Sequence, residues 1–303
     1  MTKETEFNLS NALVKQLSQR SDRSGLTQLA GHLILLLLTS LAVAQAKSSL
    51  ILLPAMLIHG IVLTFVFAPL HETIHFTAFK SIQLNNIVTA VSGFIMVLPY
   101  QYFRAYHSSH HHHTQSADKD PELIGKQGFT LKSYILHLSG LPFWRANFKN
   151  LYLHAKGKVT ETYLHTRDHA IIIREARIHL ASYLSLFILS LIFSTTELLI
   201  YWVVPLIIGQ PFLQWFLLAE HSGCDLSPNM LENSRTTYTS PLINFLSWNM
   251  SYHAEHHYLA SVPFHHLPAL HAYTGQYLKF KGDGYWKVNC DIAGQIKAGD
   301  SGH

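Results

Sequence analysis

Four long stretches almost without charge decide what this chain can fold into. Leu29–Ala46 is apolar apart from His32, Thr39, Ser40 and Gln45, and Leu50–Leu70 is a second uncharged run after Lys47-Ser48-Ser49. Leu180–Ala219 adds 40 residues with a single charge, Glu197, near its middle. A helix that crosses a bilayer needs roughly 20 predominantly apolar residues. The pattern therefore predicts spans near 29–46, 50–70, 180–198 and 200–219, paired by turns at Lys47 and at Ser194-Thr195-Thr196-Glu197. Composition agrees: 48% of the 303 residues are hydrophobic and 13% charged, against about 25% charged in soluble domains.

The remaining segments read as membrane surface. Residues 1–28 are a polar lead-in with a surface helix around Leu9–Leu17, and the acids that precede any apolar run exclude a secretory signal. Ile87–Leu98 is too short to cross and is ended by Pro99, which suits a re-entrant or interfacial helix. Tyr100–Tyr106 is aromatic and basic, as at headgroup level, and Tyr134–Trp144 is interfacial. The expected organisation is a membrane domain over 29–278, with a helical cap from 71–178 and 220–278, and a hydrophilic tail over 279–303. Lys and Arg are dense in 1–28, 80–178 and after 234, whereas the two turns hold only Lys47. By the positive-inside rule the cap is cytoplasmic. The net charge of +4 is spread out, which argues against nucleic acid. Two cysteines provide neither a disulfide framework nor a paired-cysteine zinc pattern.

Histidine is the compositional outlier, with 22 against 18 acidic residues. His253, His256 and His257 stand at i, i+3 and i+4, which on a helix puts them on one face within reach of a single metal centre. His107, His110 and His111 repeat the trio, and His71 and His75 form an i, i+4 pair. The predicted topology brings all of them, with His221 after the fourth span, to the cytoplasmic face. Neutral imidazole is a good ligand for iron, zinc and copper. Eight such residues exceed the needs of one zinc and suit two metal ions: zinc for hydrolysis, or iron for oxygen chemistry. His32 and His59 read as satisfied polar residues within spans. His265, His266 and His271 lack the cluster spacing and read as structural.

The set His71-x3-His75, His107-x2-His110-His111 and His253-x2-His256-His257 resembles the three histidine boxes of membrane fatty acid desaturases. Their superfamily includes acyl hydroxylases and carotenoid ketolases and hydroxylases. The resemblance runs from the second span to about Leu270. It includes His113-Thr114-Gln115 and Asp120-Pro121-Glu122 after the second box, Trp248–Tyr252 before the third, and Val262-Pro263-Phe264 with Leu267-Pro268 after it. It implies a non-haem di-iron centre that uses dioxygen. His71, His75, His107, His110, His111, His253, His256 and His257 would be ligands, and His221 matches an additional histidine ligand of related enzymes. Asn249 would hold a water near the metal or cap a turn. Glu72, Asp120 and Glu255 would orient ligand imidazoles, although Glu72 fits a solvated surface acid better. Ala260 stands where relatives often have proline.

The expectation is an all-α membrane protein of about four spans with a cytoplasmic cap holding a di-metal site. Breaking an unactivated C–H bond needs an oxidant that no side chain supplies. The expected activity is desaturation of a fatty acyl chain or lipid; the rival is hydroxylation or ketolation of a lipid, carotenoid or smaller metabolite. A metal transporter would place its ligands at mid-membrane, whereas these lie beyond the spans. The sequence has no Gly-x-Gly-x-x-Gly segment and no Cys-x-x-Cys-His haem site. The electron donor is therefore expected to be a separate ferredoxin or small haem protein with its reductase. In a bacterium the enzyme would lie in the inner membrane.

Overall fold

The computed structural model describes residues 9–124 and 128–298. It is helical throughout, with one short pair of strands, and four of its helices are long and apolar enough to cross a membrane. A surface helix, α1 (Asn11–Leu17), precedes the first span, α2 (Asp22–Gln45). The first span begins seven residues before the apolar run, because Ser21 caps it by accepting from the Ser24 amide (3.1 Å). Asp22 in its first turn suits the positive end of the helix dipole. The second span is broken into α3 (Ser49–Thr64) and α4 (Phe67–Ile74). Pro69 cannot donate to the carbonyl of Phe65 and its ring crowds that oxygen, so the helix interrupts there.

α5 (Ile82–Ile95) and α6 (Tyr100–His113) meet at an angle of 100°. This is the short apolar segment ended by Pro99, turned back as an elbow. α7 (Leu131–Leu138) and α8 (Leu141–Ala155) follow. The third span, α9 (His169–Ile192), starts well before the apolar run at 180. Arg174, Glu175 and Arg177 hide the start from a hydropathy reading. Yet Ile172, Glu175, Ala176 and His179 are buried at i, i+3, i+4 and i+7, one continuous helical face. The fourth span is a π-helical turn over Leu199–Val203 leading into α10 (Val204–His221).

Large apolar side chains on the spans, including Leu37, Ile58, Phe187 and Ile192, are exposed. Hydrocarbon is the solvent that tolerates such a surface. His59 is satisfied within the bundle, whereas His32 is bonded through one ring nitrogen and its Nδ1 is buried without a partner among the described residues. His32 meets the Val62 carbonyl (3.1 Å), and His59 bridges Thr39 (2.8 Å) and the Tyr201 carbonyl (3.0 Å).

The second and fourth spans run in the same direction and touch through backbone. A Cβ on Gly60 would lie 2.2 Å from the Pro205 oxygen, and a Cβ on Gly209 would lie 2.2 Å from the Gly60 oxygen. Small residues at such a crossing let helix backbones approach without side chains between them. The consequence is positional: α4 ends at the first histidine pair, α10 ends at His221, and the close contact brings the two ends together.

Beyond the fourth span lie α11 (Met230–Asn233), β1 (Arg235–Tyr238), α12 (Pro241–Leu246), α13 (His253–Tyr258) and α14 (Leu267–Thr274). The segment from 279, read from sequence as a hydrophilic tail, is folded through residue 298. It forms β2 (Phe280–Asp283), parallel to β1, and α15 (Tyr285–Ala298). Asn289 of α15 donates to the Trp215 carbonyl (3.1 Å) and accepts from the Tyr134 hydroxyl (3.1 Å), tying the segment to α10 and α7.

Alanine raises helix propensity over glycine by about 1 kcal/mol, so the same substitution should act with opposite sign at two glycines. Gly209→Ala should lower the melting temperature in detergent, since the new Cβ meets fixed backbone; overpacking typically costs about 1–3 kcal/mol. Gly294→Ala, with nothing within 4 Å of its Cβ, should leave the temperature unchanged or raise it. Equal effects in thermal scans would contradict the backbone contact.

Candidate metal centre

Four elements deliver nine histidines to one place. α4 brings His71 and, just past its end, His75; α6 brings His107, His110 and His111; α10 ends in His221; α13 brings His253, His256 and His257. They form two groups, His71, His75, His107, His111 and His256 in one, and His110, His221, His253 and His257 in the other. Within each group the candidate ligand atoms lie within 4.8 Å of one another. The groups adjoin, with the His111 and His257 rings stacked at 4.0 Å.

This division corrects the single-centre reading of each trio. Successive helical residues are about 100° apart, so i+3 and i+4 fall on opposite sides of i. Each i, i+4 pair stays in one group, and the i+3 histidine, His110 or His256, turns to the other.

The ring nitrogens face one another. His107 and His256 each approach His111 Nε2 to Nε2, at 2.9 and 3.1 Å, and His110 and His253 approach His221 at 3.2 and 2.9 Å. Metal–nitrogen bonds of about 2.1 Å at right angles put adjacent nitrogens about 3 Å apart. Nε2 of His75 and His257 is buried without a hydrogen-bond partner among the described residues. Neutral imidazoles cannot satisfy all these lone pairs with each other's protons. A cation in each group can, so the residues present fit two metal ions.

Burial disfavours the charged form of most of these rings. It pushes His75 down to about 4, helped by Arg104 and His110, and it holds His107, His111, His253, His256 and His257 well below the ordinary histidine value, with neighbouring imidazoles adding to the effect.

Three of the four outer nitrogens of the second group have hydrogen-bond partners. His110 Nδ1 meets Asp120 Oδ1 (2.9 Å), and the same carboxylate accepts from the Gln115 and Glu122 amides (both 2.9 Å). Burial opposes the Asp120 charge, but these bonds outweigh it and hold the carboxyl below its usual range. His221 Nδ1 donates to the Asn233 carbonyl (3.1 Å). His257 Nδ1 donates to the Thr114 hydroxyl (3.1 Å), which itself donates to the His110 carbonyl (2.7 Å). Glu220 lies 3.2 Å from His253 Nδ1, but that nitrogen makes no hydrogen bond among the described residues. The three hydrogen bonds at His110, His221 and His257 turn their Nε2 lone pairs inward. In the first group, by contrast, Nδ1 of His71 and His256 is buried without a partner among the described residues.

Asp120 thus contacts His110, one of the candidate ligands. Glu255 does not touch a ligand histidine: buried at 0% exposure, it binds His271 (2.5 Å), Thr274 (3.2 Å) and Thr236, and so fastens α13 to α14 and β1. Glu72 is not a solvated acid. It is also 0% exposed, and it accepts from the Phe264 amide (3.0 Å). Asn249 takes the turn role: at φ 58° it donates to the Phe264 carbonyl (3.1 Å). One peptide segment after the third box is therefore clasped from both sides.

Thr114, Glu220 and Asn233 were missed by the sequence reading. Glu220, an acid at the end of an apolar span beside His221, was a usable signal. Asn233 acts through its backbone, which leaves no side-chain signature.

Two outcomes follow from these contacts. Asp120→Asn should weaken metal binding at the His110 group by about 10-fold or more and spare the other group, as read by metal titration; equal weakening of both would contradict the assignment. Metal-free protein should lose thermal stability as pH falls from 6.5 towards 4. Unfolded histidines take up protons near 6.5 while buried His75 resists until about 4, so acid favours the unfolded chain. A melting temperature flat over that range would contradict it.

A family model described as fatty acid desaturase matches residues 47–289, a range that holds all nine histidines and three of the four spans. None of the curated proteins matches the chain. With the matched range covering most of its length, the chain belongs to the fatty acid desaturase family.

Proposed function

We propose that this protein is an oxygen-dependent di-iron oxidase that introduces a double bond into an acyl chain or lipid at the cytoplasmic membrane surface. The observation that carries this reading is the division of nine imidazoles into two adjacent groups whose lone pairs converge. His71, His75, His107, His111 and His256 would hold one iron, and His110, His221, His253 and His257 the other. An iron pair bound there would supply, from dioxygen and external electrons, the oxidising power for an unactivated C–H bond.

The protein's own part is to bind, orient and exclude water. The imidazoles are held neutral, so they are ready to ligate at pH 7 without releasing protons. Asp120, Thr114 and the Asn233 carbonyl fix which nitrogen of each ring faces inward. A small pocket lined by Phe65, Phe67, Leu213 and Phe216 lies beside His71 and Glu220. Its apolar wall is compatible with contact to a methylene chain. The distribution of Lys and Arg supports the cytoplasmic side. Electrons would come from a separate protein, a ferredoxin or small haem protein with its reductase.

Purified protein supplied with iron, a reducing system and candidate acyl lipids should hold two iron ions per chain and form an alkene. An oxygenated product carrying label from ¹⁸O₂, without alkene, would overturn the choice of desaturation. Stable binding of two zinc ions, with no iron and no oxidation, would overturn the whole reading. His256→Ala should abolish turnover while the protein remains in the membrane.

A further inference from the structure

The helix that carries the second histidine box is held from the third span by a residue outside all three boxes. Glu175 lies on α9 and is 7% exposed. Its Oε1 accepts from the Tyr100 amide (3.0 Å) and its Oε2 from the Gln101 amide (2.9 Å). These are the first two N–H groups of α6. The residue at the N-cap is Pro99, which has no side-chain acceptor to offer. Without Glu175, two donors at the half-buried helix start would lose their acceptor.

The same third and fourth spans hold the other side of the elbow. The Tyr183 hydroxyl donates to the Phe94 carbonyl (2.8 Å), and Trp202 Nε1 donates to the Ile95 carbonyl (2.9 Å), at the end of α5. One turn into α6, the Arg104 guanidinium lies 4.4 Å from the Phe76 ring and 5.4 Å from the Tyr100 ring. Phe76 follows His75 directly and adopts φ 59°. The start of α6 is thus seated against the segment that ends the first box.

We propose that Glu175 is a positioning residue for the metal centre, setting the tilt and axial position of α6 and thereby the placement of His107, His110 and His111. The lever arm makes small errors matter. His107 lies about 10 Å along the helix from Tyr100, so a tilt of about 5° moves its backbone by about 1 Å. Metal–ligand distances tolerate only about 0.2 Å. The role rests on the metal-centre reading, but not on the identity of the metal or the reaction.

The test uses full-length protein in detergent, titrated with Co²⁺, whose visible spectrum reports ligand geometry. Glu175→Gln, which keeps the side-chain shape but loses one acceptor and the charge, should elute and melt like the wild type. It should bind Co²⁺ about 10-fold more weakly, with a shifted spectrum. Glu175→Asp, which keeps both acceptors, should recover part of that affinity. Tyr183→Phe, which loses only the bond to Phe94, should bind as the wild type does. A Glu175→Gln protein with wild-type affinity and spectrum would overturn the proposal. So would one that fails to fold, because the residue would then serve stability instead of placement. Absence of Co²⁺ binding by the wild type would sink the metal centre and this role together.

Discussion

Nine imidazoles turned inward within one protein interior create an electrostatic problem that the rest of the structure is arranged around. As cations they would repel one another in a medium that screens poorly. As neutral rings each has one N–H and one lone pair, and where the N–H is used on Asp120, Asn233 or Thr114 the inward nitrogen faces its neighbours with a lone pair alone. Burial eases the first half by disfavouring the charged form of the rings, and a metal ion in each group would resolve the second. Everything nearby supports that state. Asp120, the Asn233 carbonyl and Thr114 decide which nitrogen carries the proton, and so which one points inward.

The membrane spans are the means of delivery. A histidine at the end of a long apolar helix inherits the position of that helix, and the backbone contact at Gly60 and Gly209 fixes the second and fourth spans relative to each other. The surface elements then close over them. α6 enters from the elbow, with Glu175 at its start. α13 is fastened through Glu255 to α14 and β1. The segment at Phe264 is clasped by Glu72 from the first box and Asn249 from the flank of the third. The boxes therefore hold each other: the acid between the two histidines of the first secures the polypeptide that follows the third.

Much of this was legible in the residues. Uncharged runs of sufficient length marked the spans, and helical spacing marked the histidine pairs. The boundaries were less legible where charge and helix overlap: Asp22 and Arg23 at the start of α2, and Arg174 to Arg177 in α9, lie on helices that continue into spans. Residues 280–298 read as polar because the strand and one face of α15 meet water, while the other face of α15 packs on α10. Glu72 looked solvated because a lone acid in sequence gives no sign of the backbone amide, 192 residues away, that binds it.

The sequence by itself determined the helical membrane character, the three boxes and the family, because hydropathy and helical spacing are local properties written in consecutive residues. Only the tertiary structure decided how the histidines divide. Two residues on adjacent turns can point into different histidine groups, and which they join depends on helices brought in from elsewhere in the chain. The same is true of the acids. Asp120, Glu255, Glu72 and Glu175 look alike in sequence, yet one orients a ligand ring and the other three fasten backbone or neighbouring elements, because burial and the identity of the facing group are set by the fold.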